Sequence, residues 1–96
     1  MLIETPYKAG DTVSFKLVSG EEIVARLEEE TKEHFTLIKP LMVIMGQQGL
    51  GLAPFMFTVK PDTKFKIKTQ NVICIAKTDD EMSKQYIQST TGIQTL

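Results

Sequence analysis

Few side chains in this 96-residue chain have the types and spacing that chemistry needs. The single histidine, His34, and the single cysteine, Cys74, fall on different predicted elements, so they do not form the ligand cluster that a metal ion needs. Cys74 lies in the most apolar stretch of the chain, residues 72–76, which predicts a buried and inert thiol. We therefore expect no catalytic residue, no metal site and no cofactor.

Three lysines alternate with apolar residues over residues 64–68, so they share one face of a predicted strand. Lys64, Lys66 and Lys68 would form a strip that faces phosphate groups if the protein binds nucleic acid. The alternative is a solvated outer face whose lysines discourage aggregation at a sheet edge. Residues 21–33 carry six acidic side chains against two basic ones, so phosphate groups should bind on another face.

Glycines punctuate residues 46–54, which predicts a loop. The stretch lacks both the phosphate-binding pattern Gly-x-x-x-x-Gly-Lys-[Ser/Thr] and the dinucleotide pattern Gly-x-Gly-x-x-Gly, so it is not a nucleotide cradle. Two interpretations stay open: a mobile loop, or an apolar contact surface that includes Leu50, Leu52, Phe55 and Met56.

Length and composition predict one soluble domain spanning residues 1–96. Eleven basic and twelve acidic residues leave a net charge of -1, which excludes a strongly basic DNA-binding protein but not a local basic strip. The first residues lack the features of a signal peptide, and the longest apolar run, residues 41–45, is far shorter than the roughly 20 residues of a membrane span. We expect a cytoplasmic protein without a membrane partner, and the lone cysteine fits a reducing compartment.

The first half of the chain has the alternation of β-strands. Val13, Phe15 and Leu17 would share one face of a half-buried strand over residues 12–18, and a turn at 19–21 leads to a second strand beginning at 23–27. A helix over residues 21–33 is the competing interpretation, because glutamate is a good helix former. We reject it because no apolar residue occurs between Leu27 and Phe35.

The second half continues in the same way. We predict a third strand over residues 35–45, in which Pro40 marks a bulge, a bend or an edge position. One bent strand or two short strands over residues 55–59 and 64–68, a tight turn at 69–71 and a final strand over 72–76 should follow. A short helix over about 79–90 should follow, with Thr78 as its N-cap and Glu81 completing a capping box. Its apolar face would contain Met82, Tyr86 and Ile87, and Gly92 follows its predicted end.

Five strands with short connections predict a mostly β fold, a small and strongly bent five-stranded antiparallel barrel with a short C-terminal helix. The final strand is apolar on both faces, as expected of a strand that is covered from two sides. An uncovered apolar edge favours pairing with another chain, so we expect a homo-oligomer joined through strand edges.

With this strand order, the core over residues 12–77 resembles an Sm-like (LSm) domain, an SH3-type barrel. The first motif of that family has two strands around a turn glycine and then Asp-x-His-Met-Asn, which Gly20 and the stretch Lys32-Glu33-His34-Phe35-Thr36 match in part. The second motif, apolar-Arg-Gly before an apolar strand, is similar to Ile-Lys-Thr-Gln-Asn-Val-Ile at residues 67–73. The chain is most similar to divergent Sm-like proteins attributed to cyanophages, which would place it in the cytoplasm of a host cell.

The resemblance implies a ring-forming protein that binds single-stranded RNA. It gives His34 the role of stacking on a base, Thr36 that of a hydrogen bond to the base, and Lys68 that of a positive charge. Thr36 stands where the family has Asn, and Lys68 where it has Arg, so we expect weak binding with little base selectivity. Two alternatives stay open: His34 is an ordinary loop histidine, or the ring is an assembly or protein-interaction module that binds no nucleic acid.

Overall fold

A computed structural model of the protein describes residues 7–60 and 62–91, and these residues form six strands and one α-helix. The elements are β1 Thr12–Leu17, β2 Glu22–Glu30, β3 His34–Gly46, β4 Gly49–Pro54, β5 Lys64–Lys68, β6 Val72–Lys77 and α1 Asp80–Thr90. The predicted mostly β fold with one short C-terminal helix is confirmed. The predicted number of strands, five, is wrong, since the described residues contain six.

All strand pairs are antiparallel, and the strands lie in the order β4-β3-β2-β1-β6, with β5 also paired to β3. Within the described residues β6 pairs only with β1, so the sheet is bent but is not closed by hydrogen bonds. The outer edges of β4, β5 and β6 therefore have no neighbouring strand among residues 7–60 and 62–91.

A bend divides β3 into two halves that pair with different strands. Residues 34–38 pair with β5, and residues 41–46 pair with β4. At the bend, Lys39 has a φ of 52°, and the next residue is Pro40, which has no N–H to donate to a ladder. Pro40 was predicted to mark a bulge, a bend or an edge position, and the β2–β3 register shifts beside it, between Val24 and Arg26. This irregularity separates the site described below from the β3–β4 hairpin.

The core is formed by alternate residues of β1, β2 and β3, which face one side of the sheet. The ring centroids of Phe15 and Phe35 are 5.2 Å apart at an interplanar angle of 73°, an edge-to-face contact. Phe65 and Ile67 of β5 pack against this cluster from the end opposite β6. The buried core residues are Val13, Phe15, Leu17, Ile23, Ala25, Leu27, Phe35 and Leu37.

Helix α1 is fixed to the sheet by a buried tyrosine. Tyr86 is only 3% exposed, and its hydroxyl accepts a hydrogen bond from the backbone N–H of Arg26 while it donates to the carbonyl of Lys39. The Lys39 ammonium donates in turn to the carbonyl of Thr90 at the last turn of the helix, where a positive charge is favoured. The helix predicted over 79–90 is confirmed.

The cap of this helix differs from the prediction. Asp79, not Thr78, is the N-cap, and its carboxylate accepts a hydrogen bond from the backbone N–H of Met82 at 2.9 Å. Thr78 is buried, and its hydroxyl lies 2.8 Å from that of Ser14 on β1, so it is occupied by a tertiary contact. Of the predicted apolar face, Ile87 is 49% exposed. Gly92, the predicted residue after the helix, lies outside the described residues.

Two predictions about the middle of the chain are wrong. Residues 46–54 form a hairpin turn and strand β4, not a loop, because Leu50 and Leu52 alternate with glycines in a period of two that pairs with β3. Residues 55–59 form no strand, because the β3 edge is already used by β4 and β5 on either side of its bend.

Strand β6 is less covered than expected. Val72 and Ile75 pack against the core, but Ile73 is 61% exposed and Cys74 is also exposed. The prediction of a buried Cys74 thiol is therefore wrong. A strand that is apolar on both faces is buried only where other elements cover both of them. Within the described residues, only one face of β6 is covered.

Candidate functional site

The candidate site lies where β3 begins and β5 ends. His34 is the register partner of Lys68, and Thr36 is the register partner of Lys66. Side chains on one face of an antiparallel pair are close neighbours, with Cβ atoms about 4.5–5.5 Å apart. The pairing of β3 with β5 thus brings together the residues of the two sequence stretches that resemble the Sm-like motifs.

The turn that precedes β3 is stabilised by the side chain of Thr31, which lies within it. The Thr31 hydroxyl accepts hydrogen bonds from the backbone N–H groups of Glu33 and His34, and the Thr31 N–H donates to the carbonyl of His34 at 2.9 Å. Such side-chain bonds to nearby backbone are the usual means by which threonine fixes a turn. His34 therefore starts from a defined backbone position.

The 3₁₀ turn Thr69–Asn71 is tied to the same loop. The Thr69 hydroxyl donates to the carbonyl of Lys32 at 2.8 Å, and the Thr69 N–H donates to the carbonyl of Glu33 at 3.0 Å. On its other side, the Val18 N–H donates to the carbonyl of Asn71 at 2.8 Å. Hydrogen bonds therefore join the two turns to each other, and a further bond joins the 3₁₀ turn to the residue that follows β1.

An open pocket of about 530 Å³ lies between these two turns. Three lysines and one glutamate line it, together with one imidazole, one hydroxyl and one amide, so the site has an excess of two positive charges when His34 is neutral. This combination suits an anionic ligand that carries a flat ring. The lining residues are Lys32, Glu33, His34, Lys66, Lys68, Thr69 and Gln70.

The predicted lysine strip is divided by an ion pair. Lys64, Lys66 and Lys68 are all exposed on one face of β5, as the alternation predicted. The Lys64 ammonium, however, lies 2.8 Å from a carboxylate oxygen of Glu28 on β2. Lys66 and Lys68 have no carboxylate within 4.0 Å among the described residues, so the unneutralised charge lies at the pocket end of the strip.

Thr36 lies beside the pocket but beneath its surface. Its side chain is on the face that carries His34, yet the residue is only 6% exposed. Its hydroxyl oxygen is buried and has no hydrogen-bond partner among the described residues. A hydrogen bond from Thr36 to a bound base remains a prediction, and this burial argues against it.

The structure adds three residues to the two pocket residues, His34 and Lys68, to which the family resemblance gave a role. Lys32, Lys66 and Gln70 line the pocket with His34 and Lys68. The alternation over residues 64–68 is a signal for Lys66, which the lysine strip already included. No local pattern indicates Gln70, because its place in the site depends on the hydrogen bonds that fix the 3₁₀ turn.

Two other surface features of the described residues are largely apolar, although Lys39, Lys60 and Asp62 also line the first of them. A pocket of about 760 Å³ lies between the β3 bend and the end of α1, and much of its wall is apolar, including Leu41, Phe57 and Phe65. The β3–β4 hairpin and the segment after it carry no charged side chain over residues 41–59, and they expose Met45, Leu50 and Phe57.

The described residues contain no group of three or more His, Cys, Asp or Glu side chains that could hold a metal ion. Helix α1, the one α-helix in the same residues, is too short to cross a membrane. No protein-family model matches the chain, and no curated protein matches its sequence. The resemblance to Sm-like domains thus rests on the two motif stretches alone.

Proposed function

We propose that this protein is an Sm-like, ring-forming protein that binds single-stranded RNA weakly and with little base selectivity, with a role in RNA metabolism. The observation that carries the proposal is the pairing of His34 with Lys68, beside Lys66, in one open pocket. A flat imidazole supports stacking of any base, and lysines neutralise phosphate groups whatever the sequence. Neither contact selects strongly for one base.

The proposal that the protein forms a ring rests on the outer edges of the sheet. Among residues 7–60 and 62–91, no strand pairs with the outer edge of β6, where Ile73 is exposed, or with the outer edge of β5 at the other end of the sheet. Edges of this kind pair readily with a strand from another chain. Joining β6 of one copy to β5 of the next would continue the sheet, cover Ile73 and bring one pocket per copy into a single assembly.

The mass of the protein in solution tests whether several copies assemble. Light scattering at micromolar concentration should give a mass several times the 10.8 kDa of one chain. Replacing Ile73 by lysine, which places a charge on the exposed face of β6, should shift the mass toward that of one chain. A monomeric wild-type protein would contradict the ring.

RNA binding is tested by fluorescence anisotropy with short U-rich, A-rich and mixed RNAs at low salt. His34→Ala should weaken binding by the value of one stacked base, about 1–3 kcal/mol. Lys68→Glu should abolish binding because it replaces attraction of phosphate by repulsion. Lys84→Glu on α1 is the matched control, since it makes the same charge change on an exposed residue away from the pocket.

Salt dependence gives a second measure of the same contacts. If Lys66 and Lys68 neutralise one phosphate each, the logarithm of the binding constant should fall with the logarithm of salt concentration with a slope of about -1.4 per subunit. Lys66→Gln should reduce this slope by about half. A slope near zero would mean that the lysines do not contact phosphate.

A second candidate function is a ring that acts as an assembly or protein-interaction module without nucleic acid. The uncharged stretch over residues 41–59 favours it, because exposed apolar side chains such as Met45 and Phe57 commonly mark contact surfaces. An oligomer that binds none of the RNAs, or that binds them regardless of His34→Ala and Lys68→Glu, would favour this function.

A further inference from the structure

We infer that Gln70, and not Thr36, contacts the edge of the base in this pocket, and that it gives the site a modest preference for adenine. The inference rests on the proposed function, because it assigns a role within the same RNA site. It starts from the position of Gln70 on the wall of the pocket that also contains His34 and the β5 lysines Lys66 and Lys68.

Thr36 is unsuited to this role because of where its hydroxyl lies. The residue is 6% exposed, and its oxygen is buried without a partner among the described residues. A ligand in the open pocket would have to displace neighbouring side chains to reach it. Assembly with other copies would only reduce this exposure further.

Gln70 has the opposite properties. Its side chain is exposed, while its backbone belongs to the 3₁₀ turn that is held by Thr69 on one side and by the carbonyl of Asn71 on the other. A side chain on a fixed backbone keeps its reach to the pocket and loses less freedom when a ligand binds. Within the described part of the chain, no hydrogen bond occupies the amide of Gln70.

The chemistry of the amide suits a base edge. A glutamine side chain offers a carbonyl acceptor and two N–H donors on separate atoms, whereas a threonine hydroxyl donates and accepts at a single oxygen. Glutamine pairs in a bidentate manner with N6 and N7 of adenine. RNA-binding sites commonly stack an unpaired base on a flat side chain and read its edge with neighbouring polar groups.

The pocket thus divides its contacts among three kinds of group. His34 stacks on the base, Lys66 and Lys68 hold phosphate, and only Gln70 distinguishes one base from another. One bidentate contact at an exposed site supports a preference of about fivefold, the lower limit for such pairs. Selectivity should therefore depend on one side chain while affinity depends on several.

The experiment compares anisotropy titrations of A-rich and U-rich RNAs of equal length with the full-length protein. Gln70→Leu should bring the ratio of the two affinities from about fivefold to near one, while Gln70→Asn, which keeps the amide, should retain part of the preference. Thr36→Val should leave the ratio unchanged. Gln48→Leu, the same substitution at the exposed hairpin tip, is the matched control and should also leave it unchanged.

The outcomes separate this inference from the proposed function. A wild-type oligomer that binds neither RNA would overturn the proposed function and the inference together. Binding that requires Lys68 but shows the same ratio with and without the Gln70 amide would overturn only the inference. A ratio that changes with Thr36→Val instead would return the base contact to Thr36.

Discussion

Tyr86 should contribute more to stability through its hydroxyl than a surface tyrosine does. The hydroxyl is the partner of the Arg26 N–H at 3.2 Å and of the carbonyls of Ile38 and Lys39 at 3.0 and 2.8 Å. Tyr86→Phe keeps the buried ring and removes only these bonds, so no cavity is formed. A buried backbone group without a partner costs about 1–3 kcal/mol, and we expect the free energy of unfolding to fall by that amount.

The assay is urea denaturation of Tyr86→Phe beside Tyr7→Phe as the matched control. The Tyr7 hydroxyl donates to a carboxylate oxygen of Glu30 at 2.9 Å on the exposed surface, where water replaces a lost partner. Tyr7→Phe should therefore cost less than about 1 kcal/mol. Equal losses in the two variants would refute the idea that the Tyr86 hydroxyl fixes the helix to the bend of β3.

The pH dependence of stability gives a second readout of the same contact. Burial raises the pKa of Tyr86 from 10.0 to about 12. Because the folded-state pKa lies above that of the unfolded chain, this stabilisation is fully present below pH 10 and is lost as the pH rises through about 12. The alkaline loss of stability should be smaller in Tyr86→Phe. Burial and Glu30 also raise the pKa of Tyr7, so the alkaline loss should decrease in Tyr7→Phe as well, and each variant is compared with the wild-type protein.

Asp79→Ala should lower stability by about 0.5–2 kcal/mol in thermal denaturation, because it removes the N-cap bond to Met82, and an unchanged melting temperature would contradict the cap. Thr36→Val should raise the free energy of unfolding by about 1 kcal/mol, because it removes a buried hydroxyl without a partner, and a loss would mean that the hydroxyl is bonded. Deletion of all residues after Lys77 should lower stability or solubility, since it removes Tyr86, and an equal melting temperature would make the helix dispensable.

Local pattern predicted much of the fold because most strands are covered on one face only. The alternation of Val13, Phe15 and Leu17 is reproduced directly in the core. The same rule failed to identify β4, where the small residues Gly49, Gly51 and Ala53 take the alternate positions and conceal the period. It also placed Cys74 in the interior, because an apolar composition does not indicate which face of a strand is covered.

The candidate site was predicted less completely, because it depends on which strands pair. The register that joins His34 to Lys68 is set by the β3–β5 ladder, which no local spacing specifies. The ion pair of Lys64 with Glu28 likewise joins two strands that are distant in sequence. The burial of Thr36 follows from side chains on neighbouring strands, so a residue-by-residue resemblance could assign it a role without indicating its depth.

The same electrostatic features link assembly to binding. Since Glu28 neutralises Lys64, only Lys66 and Lys68 of the β5 strip would be left to contact phosphate in one chain, and two such contacts would make a weak site. Several identical sites in one assembly would bind a single strand much more tightly, because each contact after the first is intramolecular. A variant that dissociates the assembly should therefore lose RNA binding even with His34 and Lys68 intact. The proposed function is therefore tested by measuring the RNA affinity and the mass of the assembly for the same variant, and not by the affinity alone.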